Sequence, residues 1–178
     1  MTDPRDLTRR NAEFATTAFS ADLTINPSGN MMVIGCVDPR VDPAHVLGLK
    51  NGEAAIIRNV GGRITPATLR TMAMLGKVGA ANASTHRPGN WNLVILHHTD
   101  CGMTDLVPFP ELLAEYFEVP LLELETKSVS DPVGSVRVDV EVILQAIHGT
   151  AFLISGLVCD VDTGLVETVV PPTPLFPG

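Results

Sequence analysis

The chain has 178 residues, 45% of them hydrophobic and 18% charged, with a formal net charge of −8 and a pI near 4.9. This supports one domain over residues 1–178 with its own apolar core and excludes disorder; the acidic balance, with no lysine or arginine cluster, excludes nucleic acid as the main partner. No apolar run reaches the length of a membrane span, no signal core opens the chain, and three cysteines suit metal ligands plus a remainder, so a soluble, cytoplasmic protein is expected.

Leu7, Phe14, Ala15, Ala18 and Phe19 recur among polar residues and predict an amphipathic helix from about Asp6 to Phe19, within an N-terminal arm over residues 1–30. A loop at Pro27-Ser28-Gly29-Asn30 precedes a short apolar strand, Met31 to Cys36. Asp42-Pro43, a cap followed by proline at the first helical position, opens a short helix through Leu49. After the Asn51-Gly52 turn, Ala54 to Asn59 reads as a second buried strand, and Gly61-Gly62 as a turn. Thr65-Pro66 repeats the cap signature for a helix carrying Leu69, Met72, Ala73 and Leu75 and ending near Lys77 or Ala80.

A polar loop from Asn82 to Asn90 leads to a third strand, Trp91 to His98. Met103 to Val107 starts a helix that Pro108 and Pro110 interrupt, Glu111 to Phe117 is helical, and Pro120 to Ser130 carries no clear pattern. Asp131-Pro132 opens a helix to about His148, with Val136, Val140, Ile143, Leu144 and Ile147 on one side. Ala151 to Cys159 and Leu165 to Val170 form a hairpin about Asp162-Thr163-Gly164, so the last strand runs antiparallel. The proline-rich residues 171–178 predict an extended tail.

Strands alternating with helices imply an α/β fold: a central, mostly parallel β-sheet with an antiparallel edge strand, flanked by helices on both faces. In such sheets ligands bind beyond the carboxyl ends of the strands, where strand order reverses. Two motifs stand at such ends: Cys36-Val37-Asp38-Pro39-Arg40 after the first strand, and His98-Thr99-Asp100-Cys101-Gly102 after the third. Cys36, His98 and Cys101 offer two thiolates and an imidazole, a soft set suited to Zn²⁺. Three protein ligands leave a fourth position for water, the mark of a catalytic rather than a structural site.

Asp38 and Arg40 flank the first ligand and are costly to bury unless paired. Arg58 and Asn59 end the second strand and either line the cleft as a substrate pocket or cap the strand. Gly102 either offers a backbone N–H to substrate or serves a turn. His97 precedes the ligand on the same strand and points to the opposite face, as a structural neighbour. His45, His86 and His148 have no evident partners and belong on the surface, and Cys159, far from both motifs in sequence, belongs to the core.

C-x-D-x-R after a first strand, I-R-N followed by glycine, and H-x-x-C-G after a third strand resemble the β-class carbonic anhydrases. Here these are Cys36, Asp38 and Arg40, then Ile57-Arg58-Asn59 and Gly61, then His98, Cys101 and Gly102. The likeness runs from about Met32 to Met103 and more loosely from Ser155 to Glu167. It implies zinc-dependent, reversible hydration of carbon dioxide to bicarbonate by hydroxide held on the metal. Asp38, held by Arg40, would orient that hydroxide; released from Arg40, it would become a fourth ligand in a closed state.

The chain departs from the family at Pro39, where many members carry serine or alanine, and its length is that of the compact members. The compact subset includes relatives that hydrolyse carbonyl sulfide or carbon disulfide with the same site, which supplies an alternative reading; a non-catalytic zinc protein sealed by Asp38 is a second. Related folds wrap terminal extensions around a partner subunit. The first helix, with Leu175 and Phe176 of the tail, therefore implies at least a homodimer, whose other partners are the small gaseous substrate and water.

Overall fold

A computed structural model describes residues 3–85, 89–147 and 152–175. His86, His148 and Phe176, for which the sequence carried expectations, lie outside the described residues.

Two unbroken apolar runs make the centre of the sheet. Strands β1 (Met31–Cys36) and β3 (Trp91–His98) are parallel neighbours, in register from Met31 opposite Asn92 to Gly35 opposite Leu96. Val33, Ile34, Leu93, Ile95 and Leu96 are buried, as continuous apolar strands must be when both faces of a parallel sheet are covered. Strand β2 (Ala54–Asn59) lies parallel on the far side of β1. Strand β4 (Phe152–Cys159) lies parallel beside β3, and β5 (Val166–Pro174) closes the sheet antiparallel to β4. The order is β2-β1-β3-β4-β5. The chain moves outward from β1 to β2, then returns to the other side of β1 for β3. Strand order therefore reverses between β1 and β3, and the carboxyl ends of those two strands flank the resulting crevice.

Helices α1 (Pro4–Thr17), α2 (Pro43–Val46), α3 (Pro66–Ala81), α4 (Pro110–Phe117) and α5 (Pro132–Ala146) complete the fold. The cap-plus-proline signatures set three starts: Asp42, Thr65 and Asp131 accept from the backbone N–H of Ala44, Thr68 and Val133. One face of the sheet is covered by α3 and α5 through Leu69, Met72, Val136, Val140 and Ile143. Among the described residues, the other is covered mainly by the short 39–49 segment, through Val41, Val46, Leu47 and Leu49. The stretch without a sequence pattern is a run of 3-10 turns, Leu121–Lys127, and a second 3-10 segment, Gly102–Leu106, follows the H-x-x-C motif. No helix among the described residues is long and apolar enough to cross a membrane.

Three expectations change. β2 is an edge strand whose residues are mostly half-buried, with Ile56 40% exposed, because it has a neighbour on one side only. The first four residues of the expected tail, 171–174, belong to β5. Pro172 and Pro174 are tolerated there because an edge strand needs no N–H donors on its outer side, and Pro171 falls at the register shift between Ile154 and Gly156. Leu175 donates its N–H to Phe152 O at 3.0 Å and is buried in the chain's own core, so it is not free to wrap a partner.

Candidate metal centre

The ligand candidates come together because two strands end side by side. Cys36 is the last residue of β1 and His98 the last of β3. Asp100 adopts a left-handed conformation, φ 50°, which turns the chain so that Cys101 faces back toward the strand ends. The Sγ atoms of Cys36 and Cys101 stand 3.9 Å apart, and one ligand atom from each of Cys36, His98 and Cys101 lies within 4.8 Å of the others. Two thiolates on a tetrahedral zinc, at ~2.3 Å each, would be about 3.8 Å apart, so the pair already has suitable spacing.

The imidazole is set up to match. His98 Nδ1 lies 2.8 Å from the Thr99 carbonyl oxygen, and the carbonyl can only accept, so Nδ1 carries the proton. Nε2 is then a bare lone pair, buried and without a hydrogen-bond partner among the described residues. An orphaned imidazole nitrogen beside two thiols fits a soft divalent cation and has no other evident use here.

Electrostatics agree. The two thiols share a proton: the Cys101 hydrogen bond holds the Cys36 thiol far below its ordinary value, and the same bond pushes Cys101 up. A dication in the proton's place would favour both thiolates. Burial opposes the charged form of His98, but the adjoining Cys36 thiolate and the Thr99 carbonyl outweigh it and raise its pKa. The backbone N–H of Asp38 donates to the Cys36 sulfur at 3.4 Å, and the nearby N–H groups of Gly61 and Met103 favour the thiolate forms of Cys36 and Cys101. Gly61 comes close because the following residue packs on β1. A Cβ on Gly62 would sit 2.9 Å from Cys36 N and from Gly35 C, so only glycine permits the approach.

Asp38 is gripped by Arg40. Arg40 Nη2 donates to Asp38 Oδ2 at 2.7 Å, Nε to Oδ1 at 3.1 Å, and the Arg40 backbone N–H to Oδ1 at 2.8 Å. These bonds hold the Asp38 carboxyl down to about 2. Pro39 between them starts a 3-10 turn, where a missing N–H costs nothing. Arg40 also binds Asp100, with Nη1 to Oδ2 at 2.7 Å and Nη2 to the backbone carbonyl at 2.8 Å. One guanidinium thus ties the first motif to the second.

The other pocket candidates sit elsewhere. Arg58 donates through Nε to Cys36 O and through Nη2 to Asp38 O, both at 2.8 Å, and through Nη1 to Asp42 Oδ2 at 2.7 Å. It braces the ligand loop from behind. Asn59 donates to Arg63 O at 2.8 Å and to Thr68 Oγ1 at 2.9 Å and accepts the Arg63 N–H at 2.8 Å, which fixes the Gly61-Gly62 turn. Gly102 opens the 3-10 segment. None of these three lines the cavity beside the ligand cluster. That cavity, about 50 Å³, is walled by Gly61, Met103, Val129 and Pro132 on its apolar parts and by Arg63, His97, Asp100, Thr104, Ser130 and Ser135 on its polar parts. About half of the wall is polar.

His97 does face away from the metal cluster, toward α5. There it belongs to a buried ionic group that the sequence reading missed: Arg63 Nε donates to Asp139 Oδ2 at 2.8 Å, and His97 Nε2 approaches the same oxygen at 3.2 Å, off the direction of a hydrogen bond. Burial pushes the Asp139 carboxyl up, but His97 and Arg63 together hold it below its ordinary value. One signal was available. Asp139 interrupts the buried stripe Val136, Val140, Ile143 at helical spacing, and a carboxylate there requires a cationic partner. Cys159 is buried as expected, yet it pairs with His98 in the β3–β4 register and so stands beside the site.

A mostly parallel sheet with thiol, imidazole and thiol gathered at its switch point defines a class of α/β proteins able to hold one metal ion at their strand ends. The comparisons narrow that class. The carbonic anhydrase family model matches residues 31–111. Beta-carbonic anhydrase 1 of Mycobacterium tuberculosis (strain ATCC 25618 / H37Rv) is 30% identical over 177 residues, 96% of this chain and 100% of that protein. The carbon disulfide hydrolase of Acidianus sp. (strain A1-3) is 32% identical over 87 residues, 49% of this chain and 37% of that protein. Among solved structures, the carbonic anhydrase from Streptococcus mutans matches with a TM-score of 0.70 at 28% identity, over 95% of this chain and 98% of that chain. The chain belongs to the β-carbonic anhydrase family.

Proposed function

We propose that this chain hydrates carbon dioxide reversibly to bicarbonate, with Cys36, His98 and Cys101 holding one zinc ion and Asp38 and Arg40 serving the nucleophile. The observation that carries the reading is the Asp38–Arg40 fork beside a buried imidazole whose Nε2 has no hydrogen-bond partner among the described residues. When bound, zinc supplies Lewis acidity that lowers the pKa of a water in its fourth position.

The remaining work falls to the chain's own groups. Asp38, ionised throughout the neutral range, can only accept a hydrogen bond, so it orients an attacking oxygen that still carries a proton. Arg40 fixes the plane of that carboxylate with two parallel bonds, and Asp100 anchors the other edge of the guanidinium. Arg58 pins the carbonyls of Cys36 and Asp38 and keeps the loop from shifting. The small cavity leaves room for a three-atom linear molecule and little bulk water. Release of Asp38 from Arg40 would give the closed state, in which the carboxylate itself completes the ligand set.

Hydrolysis of carbonyl sulfide or carbon disulfide is the second reading, favoured by relatives named as carbon disulfide hydrolases. Elemental analysis should find about one zinc per chain, as a mononuclear site implies, and none in Cys36→Ala or Cys101→Ala. Carbon dioxide hydration and carbonyl sulfide hydrolysis should then be compared on that metal-loaded sample. A much larger kcat/KM for carbonyl sulfide replaces the first reading with the second, and turnover of neither leaves a non-catalytic zinc protein.

We read the chain as one domain that acts in the cytoplasm as at least a homodimer. Free thiols at all three cysteines support a reducing compartment. Helix α1 has no buried residue, and it leaves Leu7 and Phe14 uncovered, which supports a second copy. A fully active monomer in light scattering would overturn the dimer.

A further inference from the structure

Arg63 is not needed to hold the metal ligands, yet it borders the same cavity. It is 1% exposed. Nε donates to Asp139 Oδ2 at 2.8 Å and Nη2 to Lys127 O at 2.7 Å, and the guanidinium lies over the Phe117 ring, 4.8 Å from its centroid. Those contacts fix the plane of the group and two of its three nitrogens. Nη1 is buried with no hydrogen-bond partner among the described residues. With Nε and Nη2 turned to Asp139 and Lys127, the Nη1 edge is the one left for the cavity.

A desolvated donor on a charged group is expensive to leave unmade, more so than a neutral one. Two neighbours favour an anion opposite it. The first turn of α5, at Pro132 and Ser135, forms part of the wall, and a helix N-terminus carries partial positive charge. On the other side Asp100 contributes a carboxylate that would repel an anion, but its charge is engaged by Arg40 at 2.7 Å. Asp139 balances the net charge of Arg63, so what remains is directed N–H donation, which suits weak and reversible capture.

We propose that Arg63 Nη1 is the donor of a subsite for a small planar monoanion of carboxylate shape, beside Cys36, His98 and Cys101. At roughly 10–15 Å³ for each water-sized group, the cavity of about 50 Å³ accepts about three to five such groups, enough for the heavy atoms of formate or bicarbonate. Carbon dioxide is linear and uncharged and gains little from a guanidinium edge; bicarbonate is bent and anionic and gains a charge-assisted bond. The identity of the natural anion rests on the hydration reading. The subsite assigns Arg63 to the product side of that reaction.

The test is titration of the metal-loaded enzyme with formate, followed by calorimetry and by the ¹⁵N side-chain resonances of arginine. Arg63 resonances should shift saturably, and Arg63→Lys should bind formate roughly tenfold more weakly or worse, the loss expected for one charge-assisted bond. The double variant Arg63→Leu/Asp139→Leu, which leaves no unpaired buried charge, should lose the same binding. Unchanged affinity in the variants, saturation with Arg63 resonances unmoved, or no saturable binding by wild type would each overturn the subsite. Carbon dioxide hydration measured on the same wild-type sample separates the two claims. Turnover without an Arg63 response sinks only the subsite, and an Arg63 response without turnover sinks only the hydration reading.

Discussion

Two arginine–aspartate pairs flank the same strand ends, and they differ mainly in water. Arg40 and Asp38 lie at the surface, with side chains 46% and 14% exposed; Arg63 and Asp139 are each 2% exposed. Their bond lengths are nearly the same, 2.7 Å and 2.8 Å. The energetics are not. The outer pair is screened by solvent, so breaking it costs little and Asp38 can exchange partners. The inner pair has lost its hydration, so removing either member strands a charge in the core. The outer pair suits a group that must move during a reaction, and the inner pair suits one that must hold still.

The sharpest way to break this comparison is to alter the outer pair and measure chemistry. Asp38→Asn should lower turnover by ~10²–10⁴, the range for a positioned proton acceptor, while elemental analysis still finds the metal. Full activity would remove Asp38 from the mechanism. The same experiment on the inner pair should strike stability instead. Asp139→Ala should cost ~3–5 kcal/mol in urea unfolding, because Arg63 is left buried and unpaired. A loss below about 1 kcal/mol, typical of exposed pairs, would show that water reaches the group.

Removing both members sharpens the point. Arg63→Leu/Asp139→Leu should recover most of the stability that Asp139→Ala loses, since an apolar pair of similar size avoids the desolvation penalty. A double variant no better than the single one would mean the ionic group contributes more than its burial costs. Acid offers a finer test. The Asp139 carboxyl is held below its ordinary value, so its contribution is complete above the unfolded pKa, near ~3.9, and is lost as pH falls through the lower folded value. The stability advantage of wild type over the double variant should shrink only below that point, and a constant difference by circular dichroism would contradict the linkage. The smallest effect belongs to the outermost carboxylate. Asp100→Asn should change stability by less than about 1 kcal/mol, and added salt should shrink even that, because Asp100 is 76% exposed.

Much of this protein was legible before any coordinates. Asp42-Pro43, Thr65-Pro66 and Asp131-Pro132 announced three helices, because a cap and a proline act on their own backbone and need no distant partner. The apolar runs of β1 and β3, each ending in a metal-type ligand, located both halves of the candidate centre through local chemistry alone. What had no local signature was misread or unseen. β5 continues through three prolines because it happens to be an edge, and Leu175 is core because Phe152 lies beside it. Arg58 could equally have lined the cleft; only the fold aims its donors at Cys36 O, Asp38 O and Asp42. Arg63 and Asp139 are 76 positions apart, and their bond exists because α5 and the Gly61-Gly62 turn both pack against β3. Residue type and short spacing fixed which groups could do chemistry. The tertiary structure decided which of them stay wet and which are sealed, because dehydration is a property of the packed neighbours and not of the chain around each residue.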